Sequence, residues 1–234
     1  AAYNSYTDSY IASSHTLAAA LTAEVTTSLI FSKARGYSST FKKALFVDDL
    51  TPDVYHAAVR SCRDHQHLFR RYFRAKAKVL GLSQLSEHDI FAKLSVRAPE
   101  ISYDNAVSLV LDALAPLGEE YVSIARRGLR EERWVHVFPA PGKYSNAFSS
   151  GSYLTRPFFL LNYTPTMPEV GTLAHELGHS MHSLFTNRAQ PSRYAGYAMT
   201  VAETASNLNQ VLLRAHVLKS ADSCLLYTSD AADD

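Results

Sequence analysis

Apolar residues recur at helical spacing through two long stretches in the first third of the chain. Residues 7–35 and 51–80 both show this pattern, and a glycine follows each of them. Thr51 is a suitable N-cap for the second helix, and Pro52 suits its first turn. The pattern therefore predicts two long helices. The second has an apolar stripe formed by Ala58, Cys62, Phe69, Phe73 and Leu80. We expect Cys62 to be a small buried hydrophobe.

The middle of the chain changes pattern more often. Residues 83–100 look irregular, and a helix is predicted from about 102 to 114. Pro116 interrupts the helical pattern before it continues to about residue 130. Short segments rich in aromatic or β-branched residues follow, each bounded by Pro, Gly or Ser. They predict extended structure at 134–138, 146–150 and 157–163.

A further helix is predicted over residues 167–185, and it contains the pattern His-Glu-x-x-His. That pattern carries chemical meaning only on a helix. Thr166 and Glu169 have the spacing of a capping box, with Thr166 as the N-cap. An apolar stripe at helical spacing supports the same assignment, formed by Val170, Leu173, Leu177, Met181 and Leu184.

Two histidines on this helix are candidate metal ligands. His175 and His179 are four residues apart, so they share one face with Cβ atoms about 5–6 Å apart. Both imidazoles can reach one zinc ion at about 2.0–2.1 Å. Glu176 lies about 100° further around the helix. It cannot easily join the ligands, but it can reach a water held on the metal, where a general base is needed.

A catalytic zinc usually has three protein ligands, so one more is required. His182 shares the face of His175 but is displaced about 10.5 Å along the axis, so we interpret it as a packing or supporting residue. Glu203 is the better candidate, on another predicted helix that would pack against the first. Ser206 or Asn207, one turn further on, can orient a ligand. The apolar stripe of this helix is Ala202, Ala205, Leu208, Leu212 and Ala215.

Composition narrows the function classes. Hydrophobic residues are 47% and charged residues 19%, which predicts a packed core rather than disorder. The formal net charge of +1 gives no reason to expect nucleic acid or a membrane surface as a partner. No apolar run is long enough to predict a transmembrane helix.

The last residues differ in character from the rest. Residues 224–234 resemble the translated read-through of a sequencing-library adapter, so we exclude them from the fold predictions; a genuine polar tail is the alternative. Without them Cys62 is the single cysteine and cannot form an intrachain disulfide. This fits a reducing compartment, and we predict a cytoplasmic location.

The metal-site residues resemble those of the M3 family of metallopeptidases, and within it the oligoendopeptidase F group. The resemblance lies in residues 172–185 and 201–207, and it covers essentially residues 1–218. Further segments match the group's pattern in the same order. They are 33–37 (KARGY), 115–123 (APLGEEYVS), 142–153 (GKYSNAFSSGSY) and 159–164 (FLLNYT).

The resemblance implies a mainly α fold, with a thermolysin-like zincin core and a small antiparallel β-sheet beside the cleft. It implies His175, His179 and Glu203 as ligands of one Zn²⁺ per chain, and Glu176 as the catalytic base of a metalloendopeptidase acting on short peptides. Residues 1–130 would form the helical part of the catalytic domain. The small sheet and the zinc-binding helices of the same domain would occupy 131–223.

Members of the family extend beyond both ends of this sequence, and their later helices supply side chains that stabilise the transition state. We therefore expect a fragment that hydrolyses peptides poorly by itself. The alternative is a non-catalytic helical peptide-binding domain with a structural or vestigial metal site. A structural site would favour four protein ligands and no adjacent carboxylate. Convergence of His175, His179 and Glu203 around an open fourth position would favour the enzyme.

Overall fold

The computed structural model describes residues 2–92 and 100–220. Part of the segment expected to be irregular, 93–99, and the predicted tail 224–234 lie outside the described residues. The helices are α1 (Ala2–Ala12), α2 (Ser14–Ala34), α3 (Thr40–Phe46), α4 (Pro52–Asp64), α5 (Gln66–Val79), α6 (Tyr103–Ala113), α7 (Glu119–Arg130), α8 (Met167–Ala189) and α9 (Met199–Ser220). The strands are β1 (Val135–His136), β2 (Phe148–Ser150) and β3 (Phe158–Leu160).

The predicted fold class, mainly α with a small sheet, is confirmed. The chain divides into two compact units, Ala1–Ala92 and Lys93–Asp234. The predicted division of the catalytic domain at residue 130 stays a prediction. In the part of the chain that the structure describes, no helix has the length and apolar content needed to cross a membrane.

The first unit contains α1 to α5. Each of the two long helices predicted there is a pair of consecutive helices, α1–α2 and α4–α5. The first break lies at Ser13, whose N–H bonds to the Tyr10 carbonyl three residues back. The second lies at His65, whose Nδ1 donates to the Ser61 carbonyl over 2.7 Å. Such local hydrogen bonds compete with helix continuation, and apolar spacing does not report them.

The expected burial of Cys62, in the apolar stripe of α4 and α5, is wrong. No residue of α4 is buried, and the Cys62 side chain is exposed. Phe69, on α5, is 52% exposed. The stripe is apolar, but within the described residues of this unit little packs over it.

The second unit holds the hydrophobic core. Helices α6 to α9 and strand β3 all contribute to it. The predicted stripe of α8 is buried at its first four positions, and Leu184 packs partly buried against the same core. The largest fully buried side chains include Phe159, Leu111, Leu114, Leu161, Leu173, Leu177 and Met181.

The small sheet has the order β1-β3-β2. Strand β2 pairs antiparallel with β3, with Ser149 opposite Phe159. Strand β1 pairs parallel with β3, with Val135 also opposite Phe159. The prediction of an antiparallel sheet is therefore wrong for the β1–β3 pair. After β1 the chain first forms β2 at the opposite edge of the sheet. It then returns to the centre as β3, which runs in the same direction as β1 and opposite to β2, so the sheet is mixed.

Helix α8 begins at Met167 with Thr166 as the N-cap, as predicted, but the capping box is wrong. The Thr166 side chain makes no capping hydrogen bond. Its backbone N–H, which a capping box would offer to Glu169, donates instead to the Thr164 carbonyl over 2.7 Å. Pro168 in the first turn also removes one of the donors that a cap would satisfy.

The buried face of α9 differs from the predicted apolar stripe. Leu208 is 46% exposed, and Ala215 is also exposed. The buried positions include two polar residues, which hydrogen bonds compensate. Apolar residues alone therefore predict a buried face of α9 that is shifted by about one residue from the observed one. The buried residues of α9 are Ala202, Ser206, Asn209, Leu213 and Val217.

Candidate metal centre

A glycine allows α8 and α9 to approach each other closely. A Cβ at Gly178 would lie 2.7 Å from the Ser206 Cα and 2.8 Å from the Ala205 carbonyl oxygen, closer than side-chain carbons come to other atoms. Only a residue without a side chain leaves room for this contact. The backbones are consequently near enough for short side chains of one helix to meet those of the other.

The two helices run antiparallel, and buried polar contacts fix their register. Asn209 on α9 donates from Nδ2 to the Ala174 carbonyl on α8 over 3.1 Å. The Tyr121 hydroxyl on α7 donates to Asn209 Oδ1 over 3.1 Å. One buried amide thus links three helices, so the polar groups on α8 and α9 are held at fixed positions.

Three predicted ligand atoms come together between these helices. His175 Nε2 and His179 Nε2 are 3.1 Å apart. Glu203 Oε2 lies 3.4 Å from the first and 3.5 Å from the second. In the described part of the chain, these three residues form the one group of His, Cys, Asp or Glu side chains suited to holding a metal ion.

These separations fit a single tetrahedral ion. Ligand atoms about 2.0–2.1 Å from a zinc ion lie about 3.3–3.4 Å apart at the tetrahedral angle. The side chains of His175, His179 and Glu203 are 24%, 17% and 45% exposed, so the group is partly accessible to solvent. Two imidazoles and a carboxylate are also the donor types found in catalytic zinc sites.

Two neighbours on α9 orient the candidate ligands. His175 Nδ1 is 3.0 Å from Gln210 Oε1, and the Ser206 hydroxyl donates to Glu203 Oε2 over 2.9 Å. Ser206 thus makes the supporting contact expected of Ser206 or Asn207, whereas Asn207 is exposed. The role of Gln210 was not predicted from the sequence. The signal that could have indicated it is its spacing of seven residues from Glu203, which places both residues on one face of a helix.

The carboxyl group of Glu176 is buried beside the three candidate ligands. The residue is 6% exposed, and its Oε2 has no hydrogen-bond partner among the described residues. Burial raises the pKa of this carboxyl above its ordinary value, Glu203 acts in the same direction, and His175 opposes them. An unpaired buried oxygen is costly, so it marks a place where a further group would be stabilised.

The pKa of His179 moves in the opposite direction. Burial lowers it, and the proximity of His175 lowers it further, while Glu203 acts the other way. A lowered pKa keeps the imidazole neutral, which is the form that binds metal ions.

His182 does not join the three ligands. Its ring stacks on Tyr197 with a centroid distance of 4.0 Å and an interplanar angle of 27°. The Tyr197 hydroxyl and the Ser183 hydroxyl are 2.6 Å apart. The His182 ring therefore packs α8 against the segment before α9, which contains Tyr197. This agrees with its interpretation as a packing residue.

The sequence is similar to known peptidases along nearly its whole length. The family model described as "Peptidase family M3" matches residues 1–224. Oligopeptidase PepF of Bacillus subtilis (strain 168) is 36% identical over 209 residues, which are 89% of this chain and 31% of that protein. Group B oligopeptidase PepB of Streptococcus agalactiae is 35% identical over 218 residues, 93% of this chain and 36% of that protein. The chain spans about a third of the length of these curated relatives.

Solved structures share the fold. A crystal structure from Chlamydophila abortus has a TM-score of 0.78 and 34% identity, covering 98% of this chain and 38% of that one. The crystal structure of oligoendopeptidase-F from Enterococcus faecium has a TM-score of 0.60 and 23% identity, covering 94% of this chain and 31% of that one. The second comparison is evidence of the fold alone.

Proposed function

The chain belongs to peptidase family M3, and from this membership and the α8–α9 geometry we propose that it carries the zinc-binding and proton-transfer part of a metalloendopeptidase. The observation that carries the proposal is the convergence of two imidazoles and one carboxylate next to a buried, unpaired carboxyl group. The proposed substrates are short peptides, because relatives such as PepF and PepB are named oligopeptidases.

His175 Nε2, His179 Nε2 and Glu203 Oε2 would hold one Zn²⁺. The bound ion would supply a Lewis acid that polarises a carbonyl group and acidifies water. Ser206 keeps Glu203 Oε2 turned toward the two imidazoles through its 2.9 Å hydrogen bond. The antiparallel packing at Gly178 keeps both halves of the ligand set in place.

Glu176 is proposed as the proton carrier. Its Oε2 is free to accept a proton because no described group donates to it. The helix directs this side chain about 100° away from the His175 direction, so it lies beside the ligands and does not compete for the ion. The carboxylate would take the proton of the attacking water and later pass it to the leaving amine.

A structural or vestigial metal site is the competing function. Structural zinc sites favour four protein ligands. Within residues 2–92 and 100–220, three candidate ligands converge and no fourth joins them. A buried carboxyl group beside a three-ligand set supports the catalytic interpretation. A cytoplasmic location, with no nucleic-acid or membrane partner, stays a prediction based on charge and cysteine content.

The proposed function is tested by removing the base without removing the ligands. Glu176→Gln should lower turnover of an internally quenched short peptide by about 10²–10⁴-fold, the usual contribution of a general base. Zinc content, measured by elemental analysis, should stay unchanged. The assay uses the zinc-loaded chain, together with any longer protein that contains it.

Glu169→Gln is the matched control, because it makes the same chemical change on the same helix, six residues before His175. It should keep turnover close to that of the unmodified protein. Near-normal hydrolysis by Glu176→Gln, or an equal loss in both variants, would contradict the role assigned to Glu176.

A further inference from the structure

The Gln210 side chain lies across α8 at the level of its first histidine. Its Oε1 is 3.0 Å from His175 Nδ1. A Cβ placed on Gly171 would be 3.8 Å from Gln210 Nε2, which is an ordinary packing distance. The amide is therefore confined between two positions one turn apart on α8.

This contact decides which nitrogen of His175 carries the proton. With the Gln210 carbonyl oxygen facing the ring, the imidazole donates from Nδ1, because an amide oxygen only accepts hydrogen bonds. In a neutral imidazole the other nitrogen, Nε2, then presents a lone pair. Nε2 is the atom that lies 3.4 Å from Glu203 Oε2.

We propose that Gln210 is a positioning residue that holds His175 in the Nδ1–H tautomer, with the Nε2 lone pair directed at the metal position. The part concerning zinc rests on the proposed function. The tautomer itself does not, because it follows from the hydrogen bond between Gln210 and His175 alone.

The contact is not needed to hold α9 on α8. Asn209, the preceding residue, already links the helices through the Ala174 carbonyl and the Tyr121 hydroxyl. Close packing at Gly178 joins them a turn away. Loss of the Gln210 oxygen should therefore alter the His175 ring before it alters the helix packing.

Gln210 is a neutral acceptor, and this predicts the order of its variants. Partners of metal-bound histidines fix the ring and raise the basicity of the ligand, and their removal typically costs 10–100-fold in metal affinity. Gln210→Leu should lose about that factor. Gln210→Glu keeps an oxygen at the same position and adds a negative charge. This variant should therefore bind zinc at least as tightly as the unmodified chain.

The test uses the 234-residue chain and two readouts. Long-range ¹H–¹⁵N NMR of the metal-free chain identifies the His175 tautomer, with the signals assigned by their absence in His175→Ala. Competition with a chromophoric chelator measures zinc affinity for the unmodified chain, Gln210→Leu and Gln210→Glu. Asn207→Leu, a polar-to-apolar change at an exposed site on α9, is the control.

We expect the Nδ1–H tautomer in the unmodified chain and its loss in Gln210→Leu. Zinc affinity should be about 10–100-fold weaker in Gln210→Leu than in the unmodified chain, and Gln210→Glu should show no such loss. An Nε2–H tautomer in the unmodified chain would overturn the proposal without any variant. Equal zinc affinity in Gln210→Leu and the unmodified chain would also overturn it. Absence of zinc binding by a chain with the expected tautomer would contradict the proposed function and leave the role of Gln210 in setting the tautomer supported.

Discussion

The predicted apolar stripes of α8 and of the α4–α5 pair have similar spacing but differ in burial. On α8, Val170, Leu173, Leu177 and Met181 are fully buried. On α4 no residue is buried, and on α5 the buried residue is Lys76. Apolar spacing therefore predicts that a helix forms and which side is apolar. Burial depends on which other elements pack against that side.

The two regions also differ in how their polar groups are used. Asn209 and Gln210 of α9 reach α8 with hydrogen bonds to a buried carbonyl and to His175. The hydrogen bonds made by His65 and His67 near the α4–α5 break are to carbonyls of their own chain segment and are exposed. Catalytic geometry needs side chains locked by packing and supporting hydrogen bonds, and α8 has both.

Core truncation should show the largest difference between the two units. Leu173→Ala, at a fully buried position of α8, should lower the free energy of unfolding of the second unit by about 2–5 kcal/mol. Leu21→Ala on α2, where the side chain is 66% exposed, should change stability by less than about 0.5 kcal/mol. Denaturation is followed by fluorescence of the single tryptophan, Trp134, which is buried in the second unit, and by circular dichroism of the whole chain. Equal losses in the two variants would remove the distinction between the units.

Widening the α8–α9 contact should give the second-largest loss of stability. Gly178→Ala forces a Cβ against the α9 backbone, so we expect a cost of about 1–3 kcal/mol and weaker zinc binding as Glu203 moves away from His175. Gly171→Ala, on the same helix, meets only an ordinary contact and should be neutral or stabilising by up to about 1 kcal/mol. Trp134 fluorescence and zinc titration check both. Unchanged zinc affinity in Gly178→Ala would show that close packing does not set the ligand geometry.

A smaller effect is expected from matched hydroxyl deletions. Tyr121→Phe leaves the buried Asn209 Oδ1 without its donor and should cost about 1 kcal/mol, the lower end for an unsatisfied buried acceptor, because the contact is only partly buried. Tyr10→Phe removes the acceptor of an exposed 3.3 Å contact from the Tyr6 hydroxyl, and should cost less than about 0.5 kcal/mol. Chemical denaturation followed by circular dichroism measures both. A larger loss for the exposed pair would reverse the comparison.

Much of the α8 region was predictable because its signals are local. The spacing of His175 and His179, the adjacent Glu176 and the apolar stripe all lie within one helix. The structure places Glu203 beside both histidines, as the sequence predicts. Its role as a ligand stays a proposal.

Other features depend on tertiary contacts and could not be derived from spacing. Gln210 acquires its role only when α9 lies antiparallel on α8. The buried Ser206 and Asn209 shift the face of α9 because hydrogen bonds make their burial acceptable. The parallel β1–β3 pairing is set by where the chain returns, and strands of two and three residues carry too little pattern to show it.

Zinc stoichiometry tests the central claim most directly, namely that α8 and α9 together build one metal site. The metal-free chain is loaded with Zn²⁺, freed of excess ion and analysed for zinc per chain. We predict one ion per chain for the unmodified protein and for His182→Ala, and a large loss for His179→Ala and for Glu203→Ala, which removes the ligand contributed by α9. An unmodified chain that retains no zinc, or a Glu203→Ala variant that binds it as tightly as the unmodified chain, would contradict the claim.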